Sequence, residues 1–333
     1  MAAYTTIDDP GAYFQAKTYT GNNTTDTAIT FDGDTDMSPN FVWIKCRSSA
    51  NSSALFNSVI GPDYHLVSND NAAQAGDGSY FKSFDSDGFT LGTGGQVNDS
   101  GTTYVGWCWK ETADAGFDIV SFTGNETIRT VAHNLSAVPH FMLMKSTANT
   151  AGWGVYHQKM SSTPAEDYLY LNTTDTIGDS VNFWNDTAPT DSVFSLGASG
   201  VSNKTGAMIG FLWSEKQGFS KFGKYIGNGN ADGTFVYTGF RPAYVMIRDP
   251  GNAENWPIFD NKRDGYNVNK VLLYANTTTA DTTTGANQID LLSNGFKCRS
   301  NDNGTNRSSA TFIYTAFAEA PFVNSNGVPC NAR

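Results

Sequence analysis

Short apolar stretches broken by glycine, asparagine, aspartate and proline run along the whole chain. NFVWIK (40–45) and AMIGFLW (207–213) are typical, and they are rich in β-branched and aromatic residues. No stretch of about 11 residues keeps an apolar period of 3.6 without interruption by glycine or β-branched runs. The pattern predicts an all-β protein of short antiparallel strands with little helix.

The strand pattern recurs three times in the same order. YTGN, FTGN and YIGN begin at residues 19, 122 and 225, so both intervals are 103 residues. Units of this length made of short strands favour an antiparallel β-sandwich of jelly-roll or lectin-like kind over a propeller blade. We therefore expect three tandem sandwich repeats at residues 1–115, 116–218 and 219–333 (segments 1, 2 and 3), the last with a C-terminal tail. Further landmarks in each copy are PNFVWIK, PHFMLMK and PAYVMIR, then Asn98, Asn203 and Asn306, then YVGWCW, MIGFLW and FIYTAF.

The cysteine in YVGWCW stands at a position that the other copies fill with apolar groups. Cys108 corresponds to Leu212 and Ala316, which favours a small buried hydrophobe over a nucleophile or a metal ligand. Large apolar residues recur beside it, as on the buried face of a strand. The predicted core residues are Trp43, Trp107, Trp109, Phe211, Trp213 and Phe317.

A basic residue ends each proline-led apolar run. Lys45, Lys145 and Arg248 occupy equivalent positions in the three copies. We expect each to extend to the surface or to pair with a carboxylate at the rim of the sandwich, rather than to bind a ligand.

Charge and composition narrow the classes of partner. The formal net charge of −11 argues against a nucleic-acid or anionic-membrane surface, since both need clustered lysine and arginine. The apolar runs are far shorter than the roughly 18 residues of a membrane span. The N-terminus lacks the features of a secretory signal, which favours folding in a reducing cytoplasm, and the four cysteines show no C-x-x-C spacing, so free thiols are expected.

The sequence offers no catalytic constellation. No carboxylate pair repeats among the copies, and no G-x-S-x-G, H-E-x-x-H or P-loop motif occurs. We predict a protein that is not an enzyme and has no cofactor; a polysaccharide depolymerase is the weaker alternative. A calcium site formed by Asp and Asn side chains in a loop stays open, since such a site needs only clustered oxygen ligands.

The copies diverge most at residues 61–86, 158–191 and 261–293. The loops of a β-sandwich tolerate changes in sequence, and they often contain the residues that bind ligands. Aromatic side chains in these stretches are suited to stacking on sugar rings or contacting a protein, although they also serve to cap loops. The candidate ligand-binding residues are Tyr64, Tyr80, Trp184 and Tyr266.

Several motifs carry a resemblance that covers essentially the whole chain. They are DDPGAYFQAKTYTGN, FVWIKCRSS, SFDSDGFTLGT, NDSGTTYVGWCWK and the ending YTAFAEAPFVNSNGVPCNAR. They resemble repeated domains in virion proteins of marine tailed bacteriophages, often described as tail-fibre or tail-associated proteins. Segment 3 departs most, with NGFKCRSN in place of the DGFTLG pattern. No catalytic residues of that family exist to carry over.

The resemblance implies a structural component of the virion. We expect a tail-fibre or tail-associated adhesin that contacts a host-surface glycan or protein through its variable loops. The alternative is a capsid decoration or adaptor protein without receptor binding. Expected partners are other virion proteins and further copies of the chain, a trimer being favoured, with no nucleic acid and no membrane insertion.

Overall fold

The computed structural model describes residues 4–76, 78–282 and 287–330. Strands make up 41% and helix 5%, which confirms the predicted all-β class. The helical turns are a 3-10 turn at Pro10–Ala12 and three single turns, α1 (Gly95–Asn98), α2 (Val181–Trp184) and α3 (Asn303–Asn306). Over the described ranges, no helix has the length and apolar character needed to cross a membrane.

The strands are short and occur in each of the three segments. Segment 1 contains β1 (Phe14–Thr20), β2 (Thr27–Ile29), β3 (Phe41–Cys46), β4 (Ala54–Asn57), β5 (Tyr64–His65), β6 (Ala75–Gly76), β7 (Phe81–Asp85), β8 (Gly88–Leu91) and β9 (Thr103–Trp109). Segment 2 contains β10 (Phe117–Gly124), β11 (Arg129–Ala132), β12 (Phe141–Ser146), β13 (Gly154–His157), β14 (Asp167–Tyr170), β15 (Gly178–Asp179), β16 (Val193–Leu196) and β17 (Gly206–Trp213). Segment 3 contains β18 (Ser220–Ile226), β19 (Phe235–Tyr237), β20 (Phe240–Arg248), β21 (Pro257–Asp260), β22 (Leu273–Tyr274), β23 (Ile289–Leu292), β24 (Gly295–Cys298) and β25 (Thr311–Pro321).

The main sheets have the same antiparallel pairing order in each segment. They run β1-β9-β3-β4, β10-β17-β12-β13 and β18-β25-β20-β21, and segments 2 and 3 extend the last edge with β14-β15 and β22. A smaller sheet accompanies each of them: β2-β8-β7, β11-β16 and β19-β24-β23. The last strand of each segment (β9, β17 and β25) therefore lies inside its main sheet, between β1 and β3, between β10 and β12, and between β18 and β20. The division into three tandem domains at 115/116 and 218/219 stays a prediction.

A recurring asparagine joins the start and the end of each segment. All three asparagines are buried, and each carboxamide both donates to and accepts from the backbone. The donated bonds are Asn98 to Gly92 O (2.7 Å), Asn203 to Gly197 O (2.8 Å) and Asn306 to Ser300 O (2.8 Å). The accepted bonds come from the N–H groups of Asn22 (2.9 Å), Asn125 (3.2 Å) and Asn228 (2.9 Å). A buried carboxamide satisfied on both sides explains why asparagine recurs here.

The central core lies where the three main sheets face one another. All six residues predicted to form the core are buried, and one continuous apolar cluster contains them together with residues of every segment. The Trp109 ring lies 6.1 Å from the Trp213 ring and 5.5 Å from the Phe317 ring, centroid to centroid. The opposite face of the segment 1 sheet, with Val42, Tyr104 and Cys108, packs on its smaller sheet. Both faces of β9 are therefore covered.

The basic residues that end the apolar runs form hydrogen bonds between neighbouring segments. We call the buried boundaries where these bonds lie the seams. Lys45, Lys145 and Arg248 are buried, so their expected position at a rim is wrong. Each donates to backbone carbonyls of the preceding segment in cyclic order, and the acceptors include residues 71, 174 and 277, spaced 103 apart. The contacts are Lys45 Nζ to Thr277 O (2.5 Å), Lys145 Nζ to Asn71 O (3.3 Å) and Arg248 Nη2 to Thr174 O (2.9 Å).

Burial changes the ionisation of the seam bases. Desolvation lowers the pKa of Lys45 and Lys145 to about 8 each, and that of Arg248 to about 10. Lys145 Nζ also donates to Ala151 O at 2.9 Å and to Ser146 O at 3.1 Å. These carbonyls satisfy a group that would otherwise be costly to bury.

A charge network reinforces the seam between segments 3 and 1. Asp260 accepts from Arg263 Nε at 2.6 Å and from the indole Nε1 of Trp107 at 2.9 Å. Arg263 Nη1 lies 2.9 Å from Asp281 Oδ1, and Arg47 Nε lies 2.7 Å from Asp281 Oδ2. The chain is thereby closed into a ring in which the last segment binds the first.

Candidate functional site: three grooves between segments

The four predicted ligand-binding aromatics do not form one site. Tyr266 is 82% exposed and Tyr64 is 41% exposed, in segments 3 and 1 respectively. Tyr80 is half-buried, and its ring packs edge-on against the His65 ring at 5.0 Å. Tyr64 and Tyr80 thus lie around the same short hairpin, β5-β6, whereas Tyr266 is separate from them.

Trp184 corrects the prediction of an exposed loop aromatic. Only 1% of it is exposed, because α2 folds it inward. Its indole Nε1 donates to Asp167 O at 2.9 Å, and its ring packs edge-on against Tyr156 at 5.8 Å. The N-cap Ser180, which accepts from the N–H of Asn182, starts this turn. Trp184 is therefore packed in the core, and its expected exposure on a loop is wrong.

Three surface grooves lie where one segment meets the edge strand of the next. Groove 1/2 lies between residues 59–74 and β10, with a volume of about 450 Å³. Groove 2/3 lies between residues 158–164 and β18, with a volume of about 540 Å³. Groove 3/1 lies between residues 261–262 and β1, with a volume of about 320 Å³. Each lies along the first strand of a main sheet, groove 3/1 near its start (Phe14–Ala16) and groove 1/2 near its end (Ser121–Thr123), and the three differ in chemistry.

Groove 3/1 is acidic. Asp9, Asp32, Asp34 and Glu319 line it, and Lys262 Nζ lies 3.0 Å from Asp32 Oδ1. Partial burial opposes the charged form of Asp32, but Lys262 and Lys17 outweigh it and lower the pKa of that carboxyl. This groove therefore presents negative charge to solvent.

Groove 1/2 is neutral. Val59, Ile60, Phe122 and Met208 contribute apolar surface to it. Its polar lining consists of Gln74, Ser121, Thr123 and Thr147. Among the residues described around it, none that lines this groove is charged.

Groove 2/3 combines aromatic and basic side chains. Phe235 and Tyr237 project from β19 and are 45% and 50% exposed, while Val236 between them is buried. Lys159, Lys221 and Lys224 also line the groove. Lys221 pairs with Glu215 at 3.1 Å, whereas neither Lys159 nor Lys224 forms an ion pair within the described part of the chain.

A glycine on the edge strand shapes the floor of groove 2/3. In the main sheets, Lys17 faces Gly106 and Val120 faces Gly210, but in segment 3 the glycine and the large residue are exchanged. Gly223 there faces Tyr314, and a Cβ on Gly223 would lie 2.5 Å from the Tyr314 hydroxyl. The large side chain at this point of the sheet is therefore that of Tyr314 on the inner strand β25, while the edge strand β18 has no side chain there.

The edge of β18 is only partly covered by protein. Phe222 O accepts from Gln158 Nε2 at 3.0 Å, and Ile226 O accepts from Thr234 Oγ1 at 2.7 Å. Because hydrogen-bonding direction alternates along an antiparallel strand, the N–H and C=O of Lys224 point the same way as those of Phe222. They therefore face groove 2/3.

Sequence reasoning missed Phe235 and Tyr237 because they lie outside the stretches that diverge most among the copies, from which the candidate aromatics were chosen. Phe235 and Tyr237 belong to TFVYTGF, in which aromatic residues take the positions on either side of a buried valine. Aromatic residues on the outward face of a strand are the signal that could have found them.

The described ranges contain no group of three or more His, Cys, Asp and Glu side chains placed to hold a metal ion. Calcium in a loop stays a prediction. Within the described lining of groove 2/3 the polar side chains are those of Lys, Ser, Gln and Tyr, which donate hydrogen bonds and positive charge. Such an arrangement is suited to holding an anionic, hydroxylated ligand against an aromatic surface.

One family model matches the chain. It is described as a domain of unknown function, DUF7483, and it matches residues 9–321. A comparison with the curated proteins gave no match.

Proposed function

Because the chain belongs to the DUF7483 family, whose own function is unknown, we propose a function from the residues themselves: a bacteriophage tail-fibre or tail-associated adhesin. It is a virion protein, not an enzyme, and it contacts a glycan or a protein on the host surface. Its chains assemble with one another, a trimer being favoured, and with other virion proteins.

The observation that carries this proposal is the contrast among the three grooves. One strand order is used three times, yet the grooves between successive segments are neutral, basic-aromatic and acidic. Function depends on the chemistry of individual sites rather than on the fold, so one scaffold whose surfaces differ between copies can present several contact sites. The resemblance of the sequence motifs to those of phage virion proteins suggests the setting.

Adsorption of phage to host cells tests the receptor role. Purified protein labelled with a fluorophore should bind host cells and, at saturating concentration, slow adsorption of the phage. Protein unfolded and kept soluble in denaturant, then diluted, serves as the control. Failure both to bind cells and to slow adsorption would remove the receptor role.

Labelling the virion separates the two structural roles. Antibody-gold particles at the tail tip or fibres support the adhesin, and particles spread over the capsid support a decoration protein. Light scattering of the purified chain measures the oligomer, for which a mass of three chains is expected.

A further inference from the structure

We infer that groove 2/3 binds an acidic oligosaccharide, with a sugar ring on Phe235 and Tyr237 and its carboxylate or sulfate group near Lys159 and Lys224. The biological setting of this site rests on the proposed function, but the binding itself is measurable without phage or host. Nothing in the description of the family assigns it.

The aromatic half of the site is a stacking surface. Phe235 and Tyr237 share one face of β19, and each leaves about half of its surface to solvent. The Tyr237 hydroxyl lies 3.1 Å from the Tyr4 hydroxyl, which restrains the orientation of the ring. Two exposed rings on one short strand offer apolar faces of the size of a sugar ring, with a polar edge.

The basic half of the site selects for an anion. The protein carries a net charge of −11, yet this groove gathers three lysines and its described lining has no carboxylate. The ammonium groups of Lys159 and Lys224 have no partner among the described side chains, so an incoming anion displaces no existing ion pair there. Concentrated charge of one sign in a cleft attracts ligands of the opposite sign.

Hydroxyl groups of a sugar find partners along the same groove. The backbone N–H and C=O of Lys224 face it, and Ser161, Ser162 and Gln158 border it. The volume of about 540 Å³ lies within the range of roughly 300–1,000 Å³ typical of small-ligand sites.

An acidic peptide fits this groove less well than a glycan. A peptide adding to the edge of β18 needs a run of free backbone groups, because main-chain hydrogen bonds supply its affinity. Gln158 and Thr234 already occupy the carbonyls of Phe222 and Ile226 on either side of Lys224. The open edge is therefore too short for strand addition.

Calorimetric titration with a defined oligosaccharide tests the site. The probe is tetragalacturonate, and its fully methyl-esterified form is the matched neutral ligand. We expect the wild-type protein to bind the acid form, to lose most of that affinity in high salt, and to bind the ester at least about tenfold more weakly. A penta-glutamate peptide is the third ligand and should bind no better than the ester.

Single substitutions locate the binding. Phe235→Ala and Tyr237→Ala should each weaken binding of tetragalacturonate by about threefold to tenfold, the usual worth of an aromatic contact. The double variant K159A/K224A should weaken the acid form and leave the ester unchanged. The matched controls are Ile128→Ala, at an exposed apolar residue in segment 2, and Lys270→Ala, at an exposed lysine outside the groove.

Each outcome supports or overturns the inference. Equal binding of the acid and the ester, equal binding of penta-glutamate, or equal loss in the control variants would overturn it, provided that thermal unfolding shows every variant folded. Attachment to host cells without binding of any acidic probe would leave the adhesin standing and remove the site. Binding of tetragalacturonate through Phe235 without any effect on adsorption would keep the site and remove the adhesin.

Discussion

The seams and the grooves both lie between the same pairs of segments, but they differ in how far the three copies vary. At each seam a buried base donates to a carbonyl of the preceding segment. At each groove the chemistry changes, from neutral to basic-aromatic to acidic. Each seam base forms at least one hydrogen bond to the neighbouring segment, although Arg248 Nε and Nη1 find no partner among the described residues, whereas an exposed lining carries no such demand. The contrast separates what holds the fold together from what is free to acquire a function.

The largest effect is expected in the central core. Trp109→Ala removes a buried ring that contacts both other segments, and it should lower the free energy of unfolding by about 3–5 kcal/mol. Urea unfolding measures the loss. Tyr266→Ala, at a residue that is 82% exposed, is the control and should change stability by less than about 0.5 kcal/mol. Similar losses in both variants would remove the distinction between core and surface.

Acid should weaken the contact between segments 2 and 3. Burial lowers the pKa of His157 from 6.5 to about 4, and its Nε2 lies 3.1 Å from Tyr314 O. The unfolded chain takes up the proton first, so stability is complete above pH 6.5 and falls as the pH drops towards 4, by up to about 3 kcal/mol. Unfolding curves between pH 4 and 7 measure this.

His157→Asn isolates the histidine from the carboxylates that also titrate in this range. Asn57 stands at the equivalent position of segment 1, so the substitution suits the site. The variant should lose less stability than the wild type between pH 6.5 and 4. Parallel pH profiles would show that His157 does not carry the effect.

Lys145→Met tests one seam directly. The substitution leaves the carbonyls of Asn71 and Ala151 without their donor, which should cost about 1–3 kcal/mol. Because the folded pKa of Lys145 is about 8 and the unfolded one about 10.5, the wild type should gain stability from pH 8 to 10.5. The variant should show less of that gain, and Lys270→Met is the matched exposed control. A variant more stable than wild type at pH 7 would contradict the role of the seam.

The smallest effect on stability is expected in groove 2/3. Phe235→Ala removes a ring that is 45% exposed, so the loss should stay below about 1 kcal/mol while ligand binding falls. Chemical unfolding and titration on the same sample check both parts. A loss as large as that of Trp109→Ala would place Phe235 in the core and end the contrast between seam and groove.

Comparison of the copies gave reliable predictions wherever side-chain size alone sets the position. The replacement of Cys108 by Leu212 and Ala316 in the other copies predicts a buried strand, and Cys108 is buried. Comparison of the copies could not show that Lys45 is buried. An apolar run that ends in a basic residue has the same sequence pattern whether that residue lies at an exposed rim or in a buried seam. The predicted exposure of Trp184 was wrong for a related reason. A variable stretch of sequence predicts a loop, but it does not predict the helical turn that directs the indole ring into the core.

The sequence by itself determined the strand-and-turn pattern and the apolar positions, because these depend on local alternation and on comparison of similar stretches of the chain. Only the tertiary structure decided how the main sheets meet, which carbonyls receive the buried bases and where the grooves lie. Those features join residues as distant in the chain as Lys45 and Thr277. Such contacts depend on the packing of whole sheets, for which no local pattern is a guide.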